Sequence, residues 1–145
     1  MEAFPHLYTV ASKATTESPV TLSCDGVVDL LSVAPVQFGG SGEHWSPEDL
    51  LVASVADCYI MSFKALARAS KLDWDSIQCE AVGKLDRVEK VTQFTEFDLT
   101  VALVIADQGS RSLAERLVQK AKEICLITNS LSAKLHLQTD VISED

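Results

Sequence analysis

The chain has 145 residues, of which 47% are apolar and 23% are charged, and this composition is typical of one globular domain with its own core. Its formal net charge of −9 argues against binding to nucleic acid or to an anionic membrane, because both need clustered lysines and arginines. No apolar run predicts a membrane span and no secretory signal begins the chain, so we expect a cytoplasmic protein with a single domain over residues 1–145.

The first third of the chain predicts strands and then a loop. Residues 7–36 mix β-branched with polar residues, as extended backbone does. The pair Asp25–Gly26 predicts a turn between two strands. Pro35 and the glycine-rich run FGGSGEHW then predict a flexible loop.

The stretch WSPEDLLVASVADCYIMSF, residues 45–63, predicts an amphipathic helix. Ser46 is a suitable N-cap, Pro47 suits the first helical position, and Glu48 and Asp49 stabilise the positive end of the helix dipole. The following residues recur at three- and four-residue steps and predict the buried stripe: Leu51, Val55, Cys58, Ser62 and Ala65. Further apolar residues widen this surface. This indicates that the helix is buried, either within one chain or against a second subunit.

The remaining elements predict two strands, a helix and a last strand. Residues 77–89 and 92–105 predict two antiparallel strands joined near Glu89–Lys90, and the second has mostly alternating apolar positions from Phe94 to Ile105. Residues 109–125 predict a second helix with a Ser112–Glu115 capping box. Its predicted core stripe is Leu113, Leu117, Ala121 and Ile124. Residues 133–142 predict a final strand, and the order β-β-α-β-β-α-β predicts an α+β fold.

Four cysteines, at positions 24, 58, 79 and 125, are the candidates for chemistry. None has C-x-x-C spacing, so in a reducing compartment we expect free thiols unless one pair is catalytic. Cys58 and Cys125 each belong to a long helix, and as residues alone they are equally small apolar members of a helix core. Cys24, before the Asp-Gly turn, and Cys79, at the start of a strand, are expected to be structural.

The three histidines predict no metal site. His6, His44 and His136 have no ligand spacing with each other or with a cysteine, and no cofactor motif is present. A hydrolytic Cys58–His44 dyad has no orienting motif to support it.

The segment SPEDLLVASVADC closely resembles the cysteine helix of the OsmC/Ohr family of thiol-dependent peroxidases. The layout of the chain is also similar, with HLYT near the start, then DGVVDL and a glycine-rich loop. The second helix ends in CLITNSL, where the family commonly has C-P-x-S-x-x-L. The resemblance covers almost the entire chain.

This resemblance implies an intertwined homodimer with antiparallel sheets around two long central helices. It implies that Cys58 is the peroxidatic thiol, that Cys125 resolves the sulfenic acid as a disulfide, and that Glu48 is a supporting carboxylate. The implied substrate is an organic hydroperoxide, and the implied reductant is a dithiol, which is a lipoylated protein in some family members. Because ten residues of straight helix span about 15 Å, Glu48 and Cys58 share a site only if the helix bends or two subunits contribute.

The sequence departs from the family at the arginine that Glu48 normally holds beside the thiol. No arginine precedes Arg68, and the segment TTESPVTLS has Glu17 where it is expected. Asp57, directly before the thiol, would raise the pKa of Cys58 if it pointed toward it. A low pKa matters, because the thiolate is the nucleophile.

Three explanations of the missing arginine stay open. Lys13 or His44 substitutes for it, a partner subunit contributes Arg68 or Arg87, or fast peroxidase activity is weakened or lost. The alternative functions are a non-catalytic protein of this fold that binds a small hydrophobic ligand in the dimer cleft, and a structural dimer whose cysteines are only core residues. Adjacent sulfur atoms of Cys58 and Cys125 would favour the peroxidase.

Overall fold

The computed structural model describes all 145 residues. It contains six strands: β1 (Ala11–Lys13), β2 (Val20–Ser23), β3 (Leu30–Ser32), β4 (Trp74–Val88), β5 (Val91–Ile105) and β6 (Lys134–Ser143). It contains three α-helices: α1 (Pro47–Ser70), α2 (Arg111–Ile124) and the one-turn α3 (Leu126–Asn129). The chain forms two compact units, Met1–Leu50 and Leu51–Asp145. The α+β class predicted from the element order is confirmed.

The first unit contains a small antiparallel sheet in the order β1-β2-β3. The turn between β2 and β3 closes with a hydrogen bond from the Val27 N–H to the Cys24 carbonyl, 3.2 Å. Gly26 has a φ of +80° there, a conformation that glycine adopts without strain, so the predicted Asp-Gly turn is confirmed. The sheet has three strands where the sequence predicted two.

The second unit contains a mixed three-stranded sheet in the order β4-β5-β6. β4 and β5 form a long antiparallel hairpin, and its turn residues Glu89 and Lys90 have φ of 50° and 71°, as the favoured two-residue hairpin turn requires. β6 pairs with β5 in parallel, with Phe97 beside Leu135 and Leu103 beside Val141. The prediction of antiparallel sheets is therefore wrong for β6, because α2 and α3 carry the chain back to the opposite end of the sheet before β6 starts.

The core lies between one face of this sheet and the two long helices. Every second residue of β5 from Phe97 to Ile105 is buried, and α1 and α2 cover this face. The buried residues of α1 are Val55, Tyr59, Phe63 and Ala67. Those of α2 are Ala114, Leu117, Val118 and Ala121. The predicted stripe of α1 was therefore rotated by about one residue, since Tyr59 points inward and Ala65 is exposed.

The predicted start of α1 was correct, and the predicted cap of α2 was not. The Ser46 hydroxyl accepts a hydrogen bond from the Asp49 N–H, 3.0 Å, and the Asp49 carboxylate accepts one from the Ser46 N–H, 3.0 Å, so the predicted start of α1 is confirmed. The predicted Ser112–Glu115 capping box is wrong. The 3-10 turn Gln108–Ser110 leads directly into α2, which places Ser112 inside the helix.

α1 also corrects the expectation about membrane spans. By length and composition this 24-residue helix is apolar enough to cross a membrane, and only 22% of its most apolar window is buried. Core helices of soluble proteins pass the same test, and one side of α1 does contribute four residues to the core. Four further apolar side chains of α1 are only partly buried against the core (Leu51, Val52, Ile60 and Leu66), and Met61 is 59% exposed.

α1 approaches the sheet closely at Gly83. A Cβ added at Gly83 would lie 2.7 Å from Cγ2 of Val52 in α1 and 3.0 Å from the rings of Phe94 and Phe97. Further along the helix, Phe63 packs edge-on against Trp74 with ring centroids 5.3 Å apart. These contacts fix the position of α1, and therefore of Cys58, over β4.

Candidate active site

Cys58 lies at the edge of the buried face of α1. It is half-buried, and its neighbour Tyr59 is fully buried. The Tyr59 hydroxyl donates a hydrogen bond of 2.7 Å to the Val118 carbonyl, which ties α1 to α2. Burial raises the pKa of Tyr59, so this hydroxyl stays a donor over the whole physiological pH range. Cys58 is therefore held next to the C-terminal half of α2.

Cys125 lies at the joint between α2 and α3. Its backbone is extended, with φ −66° and ψ 104°, and this interrupts the helix after Ile124. Its carbonyl accepts hydrogen bonds of 3.0 Å from the Thr128 hydroxyl and from the Asn129 N–H. The side chain of Cys125 is only 1% exposed. The joint thus holds the thiol of Cys125 inward.

The structure brings the thiols of Cys58 and Cys125 together. The Cys125 thiol lies within hydrogen-bonding reach of the Cys58 thiol, although 67 positions (125 − 58) separate them in the chain. The Ile127 N–H and the Ser62 hydroxyl also reach the Cys58 thiol. All four cysteines of the chain are free thiols. Two adjacent thiols, one half-exposed and one buried, can exchange between dithiol and disulfide.

The electrostatic balance at Cys58 favours the protonated thiol. Burial raises the pKa of Cys58, and the neighbouring Cys125 raises it further. The Ile127 N–H and the Ser62 hydroxyl oppose this rise, because both donate hydrogen bonds that stabilise the thiolate and lower the pKa. No lysine, arginine or histidine side chain of residues 51–145 contributes to this shift in the pKa of Cys58. Asp57 is exposed and does not contribute either.

Glu48 lies in the first turn of α1, and its Oε1 atom is buried without a hydrogen-bond partner. A carboxylate oxygen in that state needs a donor, because an unpaired buried charge is costly. α1 is unbroken between Glu48 and Cys58, so about 15 Å of helix separates them along the axis. Of the two predicted ways to bring them together, a bend in the helix is therefore excluded, and a contribution from two subunits stays a prediction.

Cys79 lies near the same cluster of thiols, and the sequence did not predict this position. It occupies the middle of β4, rather than the start of a strand, and it packs against the core on the face that Ile77 and Ala81 share. Burial raises the pKa of Cys79 to about 11, with a further contribution from Cys125. The alternation along β4 was the available signal for its inward orientation. Its high pKa keeps it protonated at neutral pH.

No group of three or more histidine, cysteine or acidic side chains is placed to hold a metal ion. An open groove of about 460 Å³ lies elsewhere in the second unit, near the turn of the β4–β5 hairpin. Its lining includes four charged side chains: Lys84, Asp86, Glu96 and Lys134. Such a polar groove does not match the apolar ligand cleft of the alternative prediction, which was placed between two subunits.

The comparisons with known proteins agree with this layout. A model of the OsmC-like protein family matches residues 40–140. The chain belongs to the OsmC-like family. An organic hydroperoxide resistance protein of Xanthomonas axonopodis is 30% identical over 128 residues, which cover 86% of this chain and 87% of that protein. The uncharacterized protein YmaD of Bacillus subtilis is 25% identical over 139 residues, which cover 93% and 92% of the two chains.

The fold of this OsmC-like chain is also that of solved structures. An OsmC-like protein of unknown function from Vibrio cholerae superposes with a TM-score of 0.85 and 20% identity, over 94% of this chain and all of the other. The resemblance recognised in SPEDLLVASVADC is confirmed as family membership by the family model that matches residues 40–140.

Proposed function

We propose that this protein is a thiol-dependent peroxidase that reduces organic hydroperoxides with Cys58 and Cys125. The observation that carries the proposal is the placement of these two thiols against each other, one half-exposed on α1 and one buried at the end of α2. Membership of a family that includes organic hydroperoxide resistance proteins supports the choice of reaction and the role in oxidative stress.

In the first step the Cys58 thiolate attacks the distal oxygen of a hydroperoxide ROOH. The S–O bond forms as the O–O bond breaks, so Cys58 becomes a sulfenic acid and the substrate leaves as the alcohol ROH after taking up a proton. Met61 is 59% exposed and Leu126 is 66% exposed. These apolar side chains, each within three residues of a site cysteine, suit a substrate with an organic R group better than hydrogen peroxide.

In the second step the Cys125 thiol displaces the hydroxyl of the sulfenic acid. The S–S bond forms, water leaves, and the two thiols together have supplied the two electrons of the reduction. An external dithiol, such as a lipoylated protein, then exchanges with the disulfide and restores both thiols. The burial of Cys125 favours this order of roles, because the half-exposed Cys58 is the thiol that a substrate reaches first.

The missing arginine makes activation of Cys58 the weak point of this chemistry. The raised pKa of Cys58 predicts a small thiolate fraction at neutral pH, so we expect slow peroxide reduction that accelerates as the pH rises. A cation from the first unit, Lys13 or His44, or from a partner subunit, Arg68 or Arg87, would increase that fraction. The unpaired Oε1 of Glu48 would hold such a cation where a partner subunit brings it to the thiol, since about 15 Å of helix separates Glu48 from Cys58 of its own chain. This is the supporting role that we propose for Glu48.

We further propose that the whole chain, residues 1–145, acts as one domain of an intertwined homodimer in the cytoplasm. The uncovered apolar side of α1 supports this assembly, because only 22% of its most apolar window is buried in one chain. The first unit also exposes large apolar side chains: Phe4, Leu7, Tyr8, Val28 and Phe38. A second copy of the chain would cover both surfaces.

Thiol counting with intact mass tests the peroxidase. Reduced protein should lose two thiols and two mass units of hydrogen after one equivalent of cumene hydroperoxide. Cys58→Ser should abolish this reaction, whereas Cys125→Ser should stop at a sulfenic acid that a dimedone probe traps. Cys24→Ser, at an exposed position outside the cluster, is the matched control and should react as the native protein does. Native protein that keeps all its thiols over an hour at pH 8.5 would contradict the proposal.

The hydrophobic-ligand alternative predicts a different outcome. A protein of this kind would show no thiol loss with hydroperoxide, and an apolar fluorescent probe would bind to the dimer with unchanged affinity after Cys58→Ser.

A further inference from the structure

The break between α2 and α3 leaves main-chain carbonyls at the end of α2 without partners in that helix. The last four carbonyls of an α-helix have no N–H group of the same helix to accept from, and Glu123 is one of these residues in α2, which ends at Ile124. A continuous helix would supply the N–H of the residue four positions later, but the extended backbone of Cys125 ends the helix first. The Glu123 carbonyl is therefore available to a donor from outside α2.

Asn129 supplies this donor and also binds the joint itself. Its side-chain Nδ2 donates a hydrogen bond of 3.2 Å to the Glu123 carbonyl, and its main-chain N–H donates one of 3.0 Å to the Cys125 carbonyl. The side chain of Asn129 thus reaches back past Cys125 to the last turn of α2, while its backbone holds the first turn of α3. One residue connects the two helices across the break.

The neighbouring hydroxyl side chains do not cross the joint. Thr128 donates to the Cys125 carbonyl at 3.0 Å and Ser130 to the Leu126 carbonyl at 2.8 Å, so both bonds stay within residues 125–130. The residues on either side of Cys125 face outward, with Ile124 41% and Leu126 66% exposed, whereas Cys125 is 1% exposed. The direction of the thiol therefore depends on how α3 is oriented on the end of α2, which is what the Asn129 side chain fixes.

We propose that Asn129 is a positioning residue for Cys125, whose side-chain amide spans the break after α2 and keeps the thiol turned inward. Its place in peroxide reduction rests on the proposed function. A Cys125 thiol that turns outward cannot displace the hydroxyl of a sulfenic acid on Cys58. The amide of Asn129 therefore acts on formation of the disulfide and leaves the attack of Cys58 on the hydroperoxide unchanged.

Alkylation of Cys125 tests this role without any hydroperoxide. The background is the full chain with Cys24, Cys58 and Cys79 replaced by serine, in which Cys125 is the only thiol. The rate of modification by N-ethylmaleimide at pH 7.5, followed by intact mass, reports how often this thiol turns outward. Asn129→Ala should raise that rate by roughly three- to tenfold, because the loss of one hydrogen bond raises the population of the opened joint by such a factor.

Two further variants at the same position identify the amide as the donor. Asn129→Asp keeps the size of the side chain, but a carboxylate only accepts hydrogen bonds, so Cys125 should be modified at least as fast as in Asn129→Ala. Asn129→Gln retains the amide donor and should stay within about twofold of the background rate.

Ser130→Ala is the matched control. Its hydroxyl is also exposed and also donates to a main-chain carbonyl, but this bond lies inside α3, so the rate should stay within about twofold of the background. An Asn129→Ala protein that is modified at the background rate would overturn the inference. An equal acceleration in Ser130→Ala would do the same, since it would indicate a general loosening of α3.

A second measurement follows the reaction itself, in the Cys24→Ser, Cys79→Ser protein with one equivalent of cumene hydroperoxide and dimedone present. Asn129→Ala should oxidise Cys58 at the background rate and yield several times more dimedone adduct relative to disulfide. Slower oxidation with an unchanged ratio would show that Asn129 acts on Cys58, and would contradict the assigned role. If the background protein reduces no hydroperoxide but Asn129→Ala still exposes Cys125 and Asn129→Gln does not, the proposed function is wrong and the role of Asn129 at the joint stands.

Discussion

Replacing Gly83 by alanine should weaken the packing of α1, the helix that carries Cys58, against the sheet. The added methyl group would lie 2.7 Å from Cγ2 of Val52 and 3.0 Å from ring carbons of both Phe94 and Phe97. Overpacking of this kind costs about 1–3 kcal/mol, and we expect the upper half of that range, because three neighbours must yield at once and Phe97 is 1% exposed. The helix would move outward at Val52, six residues before Cys58.

A double-mutant cycle with Val52→Ala isolates this clash. Val52→Ala alone removes two methyl groups from a half-buried site and should cost about 1 kcal/mol. In the double variant the vacated space accepts the new methyl group, so the two changes should couple by at least about 1 kcal/mol in the stabilising direction. Urea unfolding followed by far-ultraviolet circular dichroism, at one fixed protein concentration, gives the free energies of unfolding.

Gly109→Ala is the matched control for the cycle. Its added methyl group would meet Oδ1 of Asp107 at 2.8 Å, but this is the end of an exposed side chain that can turn away. We expect a change below about 0.5 kcal/mol. A Gly83→Ala protein as stable as the native one, or strictly additive effects with Val52→Ala, would refute the proposed packing of α1 on β4.

Three further predictions concern the side chains around the thiols. Tyr59→Phe leaves the Val118 carbonyl without its hydroxyl donor and should lower the free energy of unfolding by about 1–2 kcal/mol, measured by the same urea titrations; no change would show that the bond is unimportant. Cys79 has a pKa of about 11 against 9.0 for a free thiol, so between these values it stays protonated in the folded protein but ionises in the unfolded chain. The free energy of unfolding should therefore fall as the pH rises from 9 to 11. Cys79→Ser should flatten that fall, and an unaltered pH profile would contradict the assigned shift. In native protein at pH 8, a maleimide should modify the exposed Cys24 first and the buried Cys125 last, as mass spectrometry of quenched samples would show, and early modification of Cys125 would contradict its burial.

The parts of the fold that depend on local chemistry could be predicted from the sequence. Ser46 and Pro47 specify the start of α1 through hydrogen bonds and dihedral angles that involve only adjacent residues. The turns at Asp25–Gly26 and Glu89–Lys90 likewise follow from short-range preferences and spacing. The two cysteines could be nominated only through resemblance, since residue patterns do not distinguish a reactive thiol in a helix from an apolar one.

Features that depend on long-range packing could not be predicted. Alternation along residues 134–143 is the same for a parallel and an antiparallel strand, so the pattern could not predict the direction of β6. The inward turn of Tyr59 depends on the Val118 carbonyl, which lies 59 residues away. The Ile127 N–H is a main-chain group, and nothing in its side chain marks it as a partner of Cys58.

The break in the helix at Cys125 gives the site mechanical compliance. A cysteine in the middle of a rigid helix could approach its partner only if the helix moved with it, and the core packed on that helix would resist. Cys125 instead lies on a joint of one extended residue, followed by a single turn that two hydrogen bonds to its carbonyl hold together. Disulfide formation can therefore be absorbed within residues 125–131, while α2 keeps its four buried side chains in place. Oxidation would then change the amide hydrogen-exchange rates of residues 125–131 and leave those of the rest of the fold unchanged.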